Sequence, residues 1–133
     1  MCGIVGVFDL TGKREFSREL ISRMNETQHH RGPDEGGIHI EPGVGFGHRR
    51  LSIIDLSSGQ QPLFNEDGSV VVTYNGEIYN FPELSEELKA CGHLFKTHCD
   101  TEVIVHAWEE RGEACVERFR GMFAFAVWDR NQQ

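Results

Sequence analysis

The periods of apolar residues change several times along this chain. Residues 2–9, CGIVGVFD, form a short, mostly apolar run that predicts a strand ending in a turn near Leu10 to Gly12. From Ser17 to about His30 the spacing of Leu20, Ile21 and Met24 predicts a helix, which RGPDEGG breaks with Gly and Pro. GIHIE and VGFGHRR predict two strands joined at Pro42-Gly43, followed by a loop over DLSSGQQPLFNEDG. SVVVTYNG is the clearest strand, β-branched and aromatic, stopping at Asn75-Gly76. FPELSEELKACG predicts an amphipathic helix with Pro82 in its first turn and Gly92 near its end. Asp100-Thr101 opens a second helix over TEVIVHAWEERG, EACVERFR is a short third piece, and MFAFAVWD closes as an apolar strand. About five strands and three or four helices, partly segregated, predict an α+β fold of sheets flanked by helices.

Composition narrows the class. At 133 residues, 38% hydrophobic and 26% charged, the chain has the make-up of one globular domain. Thirteen Lys and Arg against 21 Asp and Glu give a net charge of −8, which opposes a general grip on nucleic acid. No run of 18 apolar residues is present, so no membrane span is expected. The start, MCGIVGVFDL, has no basic lead-in and fails as a signal peptide, which makes the cytoplasm the expected location. The four cysteines, at 2, 91, 99 and 115, are then expected to stay free, with Cys115 in the core.

Cys2 carries the first chemical signal. Removal of Met1 leaves a thiol beside its own α-amine, and the reference pKa values, about 8.5 and 7.7–8.0, let the amine accept the thiol proton near neutral pH. Position alone also fits a buried Cys at the start of a strand. Asn75-Gly76 offers a side-chain amide and a backbone N–H for an oxyanion. Asn-Gly is equally a hairpin turn, but the helix-like EIYNFPELSEEL that follows weakens that reading. Arg50 can hold a carboxylate bidentately, and Asp100 or Glu77 an ammonium; the plainer role of Asp100 is an N-cap. Cys91, His93, His98 and Cys99 could be read as zinc ligands, but their spacing matches no common zinc pattern, and no metal site is expected.

Six segments occur in order: MCGIVGVFD, HHRGPDEGG, GHRRLSIIDLSSGQQPLFN, YNGEIYNFPEL, THCDTEVI and FRGMFAFAVWD. Together they resemble the class II glutamine amidotransferase domain, most closely that of glutamine-hydrolysing asparagine synthetases and asparagine-synthetase-like amidotransferases, over essentially all of residues 1–133. The resemblance implies a four-layer αββα sandwich of the N-terminal nucleophile hydrolase type. It implies hydrolysis of L-glutamine to glutamate and ammonia through a γ-glutamyl thioester. Cys2 matches the nucleophile, Asn75 and Gly76 the oxyanion hole, and Arg50 the ligand of the glutamine carboxylate. Leu51, Ser52, Ile53 and Ile54 match the segment whose backbone lines the pocket, Glu77 the Glu of the Asn-Gly-Glu motif, and Asp100 the ligand of the ammonium. Arg31 to Asp34 match a landmark loop near the site with no catalytic role assigned.

The resemblance also implies what lies elsewhere. Family domains continue through further strands, so the sheets are expected to be truncated at the C-terminus, with edges that invite association, a homodimer being the simplest form. The synthetase domain is absent, as is any GxxxxGK[ST] phosphate loop. No cofactor is therefore expected here; ATP and Mg belong with the missing C-terminal synthetase domain, the expected partner. A truncated chain of this kind could also serve only in association, a reading that the intact set of matched residues opposes.

Overall fold

The computed structural model describes residues 2–52 and 59–132. Strand β1 (Gly3–Phe8) is followed by helix α1 (Arg18–Glu26), then β2 (Glu35–Glu41) and β3 (Val44–Arg50). Next come β4 (Leu63–Phe64), β5 (Val70–Ile78), α2 (Phe81–Ala90) and α3 (Asp100–Arg111). A 3₁₀ segment (Gly112–Arg118) leads into β6 (Gly121–Asp129). Two antiparallel sheets result, ordered β1-β3-β2 and β4-β5-β6.

Strand alternation assigns the layers. On β5, Val70, Val72, Tyr74 and Ile78 turn to one side, against Val103 and Ile104 of α3 and Leu84 and Leu88 of α2. Val71 turns to the other side and meets Trp128 of β6 with Val44 and Phe46 of β3. β6 divides the same way, Phe123, Phe125 and Val127 toward the helices, Ala126 and Trp128 toward the other sheet. Each fully buried Val or Ile in these layers contributes roughly 1.5–3 kcal/mol.

Helix α1 covers the far face of the first sheet. Ser17 caps it, its Oγ accepting from the Leu20 N–H at 3.2 Å. Asn25 is buried and donates Nδ2 to the His48 carbonyl at 3.1 Å. That approach needs glycine opposite: a Cβ on Gly47 would lie 2.7 Å from Val5 Cγ2 and 3.0 Å from Asn25 Cγ. The order is α1, sheet, sheet, then α2 and α3, the αββα sandwich that the resemblance implies.

A polar contact crosses between the sheets. His48, 1% exposed, donates Nε2–H to the Tyr74 carbonyl at 3.0 Å. Burial pushes its imidazole down to about 4, against the pull of that hydrogen bond, so the ring is neutral at pH 7.

Several boundaries differ from expectation. β5 does not stop at Asn75-Gly76 but runs to Ile78, because β6 continues opposite it, with Gly76 facing Phe123 and Ile78 facing Gly121. There is no hairpin at Asn75-Gly76. β4 falls in a stretch read as loop; two residues are too few for a period to show. α1 ends at Glu26, and residues 27–30 form turns instead of a last helical turn. Cys115 is buried as expected, and burial raises its thiol pKa. None of the described helices is long and apolar enough to cross a membrane.

The neutral His48 has a consequence for stability. Its folded value lies below the ordinary 6.5, so its contribution is complete above about pH 6.5 and is lost as pH falls toward about 4. A shift of this size corresponds to on the order of 3 kcal/mol. Urea unfolding at pH 7 and pH 4.5 is expected to show a smaller pH difference in His48→Gln, which keeps the donor, than in the unsubstituted chain. Equal differences would contradict this role.

Candidate active site

Cys2 directly precedes β1, whose first pair sets Gly3 against Arg49, so its side chain reaches the chain leaving β3. The Leu51 N–H points at Cys2 Sγ from 3.4 Å, and the Leu51 carbonyl lies at 3.8 Å. The Cys2 carbonyl is held by Arg31 Nε at 3.1 Å. Asp34, from the same landmark loop, accepts the Ser52 N–H at 2.8 Å. The Arg31 to Asp34 loop thus fixes both segments that meet at the thiol.

Arg50 ends β3 at 4% exposure, its Nη1 bonded to Glu35 Oε2 at 3.1 Å. Asp100, at 6%, lies on the other wall of the same cavity. Asp100 Oδ2 accepts the Ile78 N–H at 2.9 Å and the Tyr74 hydroxyl at 2.5 Å. Burial and this bond hold the Tyr74 phenol far above its ordinary value, so it stays a donor. Asp100 is therefore not the N-cap; Cys99 holds that position, and Asp100 is the first helical residue, with its carboxylate turned to β5.

Between these groups runs an edge of β5. Among the described residues β4 pairs with Val71 and Val72 and Asn65 bonds Val70, which leaves the edge from Tyr74 to Ile78 without a strand partner. There the Tyr74 N–H is taken by Gln61 Oε1 at 2.7 Å, and the Ile78 N–H by Asp100. In an antiparallel strand, residues two apart present their N–H groups to the same side. The Gly76 N–H therefore points to this edge too, between two neighbours that side chains have satisfied. Glycine is needed here: a Cβ would lie 2.4 Å from the Met122 carbonyl oxygen.

A cavity of about 180 Å³ collects these groups. Cys2, Arg50, Leu51, Asn75, Gly76, Glu77 and Asp100 all line it, joined by Gly59, Gln61, Tyr74, Cys99, Thr101 and Met122. A thiol, a strand-edge N–H, an amide side chain, a buried cation and a buried anion share one small space. That set suits acyl transfer from a zwitterionic amino acid.

Comparison with known proteins decides the family. The profile described as a glutamine amidotransferase domain matches residues 1–133. The chain belongs to this family. Asparagine synthetase [glutamine-hydrolyzing] 2 of Bacillus subtilis (strain 168) is 48% identical over 134 residues, covering 99% of this chain and 18% of that protein. The rice protein (Oryza sativa subsp. japonica) of the same name is 48% identical over 129 residues, covering 97% and 22%. The chain thus spans about a fifth of the length of these relatives. Glutamine phosphoribosylpyrophosphate amidotransferase from B. subtilis, solved with ADP and GMP, superposes with a TM-score of 0.56 at 24% identity. That match covers 68% of this chain and 22% of the other and supports the amidotransferase fold.

Some expected residues fall elsewhere. Ser52 does not line the cavity but is tied to Asp34, and Ile53 and Ile54 lie outside the described residues. The set Cys91, His93, His98 and Cys99 does not gather: Cys91 is exposed, while Cys99 is buried, with Sγ 3.0 Å from Thr97 Oγ1. Sequence reasoning missed Gln61, which bridges the Tyr74 N–H and Thr101 Oγ1, and Tyr74 itself. Both lie inside motif segments; only their three-dimensional partners reveal their use.

The crowding at Gly76 predicts that Gly76→Ala destabilises the domain by about 1–3 kcal/mol, as overpacking does. Urea midpoints test this; an unchanged midpoint would contradict the close β5–β6 approach.

Proposed function

We propose that this amidotransferase domain hydrolyses L-glutamine to glutamate and ammonia. The observation that carries the reading is the cavity holding Cys2, Gly76, Arg50 and Asp100 together. Arg50 binds the substrate carboxylate and Asp100 its ammonium, with Glu77 at the rim. Both charges are buried and opposite in sign, which suits a zwitterion and rejects ligands lacking either group.

With Met1 removed, the Cys2 amine takes the thiol proton, directly or through a water. The thiolate attacks the side-chain amide carbon. The Asn75 side-chain NH₂ and Gly76 N–H donate to the oxyanion. The C–N bond breaks, the proton held by the amine passes to the leaving nitrogen, and ammonia departs. Water then adds to the γ-glutamyl thioester, releasing glutamate and restoring the thiol. Leu51, whose N–H already points at Sγ, steadies the thiolate.

Relatives five times longer, named as glutamine-hydrolysing asparagine synthetases, support a wider assignment. Ammonia made here passes to a C-terminal synthetase-type domain that amidates aspartate. ATP and Mg belong to that domain, since no GxxxxGK[ST] loop occurs in these 133 residues.

Glutamate release by purified protein tests the scheme. Cys2→Ala is expected to abolish it, and Asn75→Ala to lower kcat by about 10²–10³-fold. Arg50→Lys is expected to raise KM for glutamine, because an ammonium lacks the bidentate fork. Retained turnover in Cys2→Ala would overturn the scheme, and an unchanged KM would remove Arg50 from its role.

A further inference from the structure

A second cluster of chemistry lies further along α3, outside the cavity that holds Cys2. The turn between β4 and β5 brings Glu66, the connection between α2 and α3 brings His93, and α3 brings His106 and Glu109. One ligand-type atom from each lies within 4.8 Å of the other three. His93 Nδ1 is 3.5 Å from Glu66 Oε1 and 3.6 Å from Glu109 Oε2. His106 Nδ1 is 3.3 Å from Glu66 Oε2 and 3.2 Å from Glu109 Oε2. Ligands at 2.0–2.1 Å from a tetrahedral zinc ion are separated by about 3.3 Å, close to these four nitrogen–oxygen distances.

The outward-facing atoms give the second argument. His93 Nε2 meets Glu110 Oε1 at 3.0 Å, and His106 Nε2 faces Glu102 Oε1 at 3.6 Å. The Glu110 carboxylate beside His93 Nε2 keeps the proton there and leaves the His93 Nδ1 lone pair for the centre, as in carboxylate–histidine–metal arrangements, whereas His106 Nδ1 donates to Glu109 Oε2 at 3.2 Å and releases that proton when a cation binds. His106 is 1% exposed, so its orientation is set by packing. The carboxylates are held as well. Asn65 Nδ2 binds Glu109 Oε1 at 2.7 Å, leaving Oε2 toward the histidines, and the Leu94 N–H binds Glu66 Oε1 at 2.9 Å. The Lys96 and Thr97 N–H groups hold Glu102, each at 2.7 Å. The His93 Nδ1 lone pair, aimed at the Glu66 and Glu109 carboxylates, is repelled by them unless a proton or a cation lies between.

We propose that Glu66, His93, His106 and Glu109 bind a divalent transition-metal ion of the zinc class. Two imidazole nitrogens and two carboxylate oxygens suit zinc-class ions, whereas calcium and magnesium take oxygen ligands. The ion ties the β4–β5 turn and the α2–α3 connection to α3, the helix whose first residue is Asp100. It binds the folded chain and not the unfolded one, and so raises stability.

The test uses the 133-residue chain carrying Cys2→Ala, so that the cavity thiol does not compete, after chelator treatment. Zn²⁺ is titrated by calorimetry, and Co²⁺ by visible absorption. The expected result is one equivalent bound, with tetrahedral Co²⁺ bands and no thiolate charge-transfer band. His93→Gln and Glu109→Gln, both near the surface and checked for native circular dichroism, are each expected to weaken binding by about tenfold or more. Cys91→Ser and Cys99→Ser are expected to leave it unchanged. No saturable uptake would overturn the proposal and leave the cluster as histidine–carboxylate contacts. Uptake unaffected by His93→Gln and Glu109→Gln would overturn it as well.

Discussion

The N–H groups of Tyr74, Gly76 and Ile78 face an edge of β5 that β4 is too short to cover. An uncovered edge inside a folded domain leaves polar groups that need partners. Gln61 satisfies the first and Asp100 the third. The middle one opens into the cavity beside Cys2. Much of the surrounding structure follows from this arrangement. Gln61 must cross beside the sheet end, α3 must begin where Asp100 reaches β5, and position 76 must lack a Cβ so that β6 can pair on the opposite edge.

Two buried charges complete the site. Arg50 and Asp100 are each more than nine-tenths buried, on different elements and different sheets or helices. A buried charge is costly without a partner, and each has one: Glu35 for Arg50, and the Tyr74 hydroxyl with the Ile78 N–H for Asp100. The αββα layering makes this possible. It sets the end of β3 and the start of α3 on opposite walls, while His48, bridging to Tyr74, holds the two sheets in register.

Most of the strands and helices were legible because their periods are clean. The Val70 to Tyr74 run and the FPELSEELKA helix need no tertiary help to be read. The errors fall where tertiary contacts override local signals. Asn75-Gly76 has the composition of a turn, yet it sits in mid-strand because β6 pairs across it. Asp100 resembles an N-cap, yet its carboxylate turns to β5 because Tyr74 and Ile78 offer better donors there. The cavity residues Cys2, Arg50, Leu51, Asn75, Gly76, Glu77 and Asp100 were legible mainly through ordered motifs. Gln61 and Tyr74 were not, because a backbone-capping amide and a buried phenol have no signature until their partners are placed. The histidine–glutamate cluster shows the same limit: its members span positions 66 to 109, with no spacing to betray them.

Whether Cys2 is a nucleophile in a glutamine-shaped site is read out by intact mass after incubation with 6-diazo-5-oxo-L-norleucine, a glutamine-shaped alkylating agent. A chain lacking Met1 is expected to gain one adduct, mapped to Cys2 and suppressed by excess L-glutamine. A chain lacking Met1 that gains no adduct, or gains one on Cys91 that glutamine does not suppress, would contradict it.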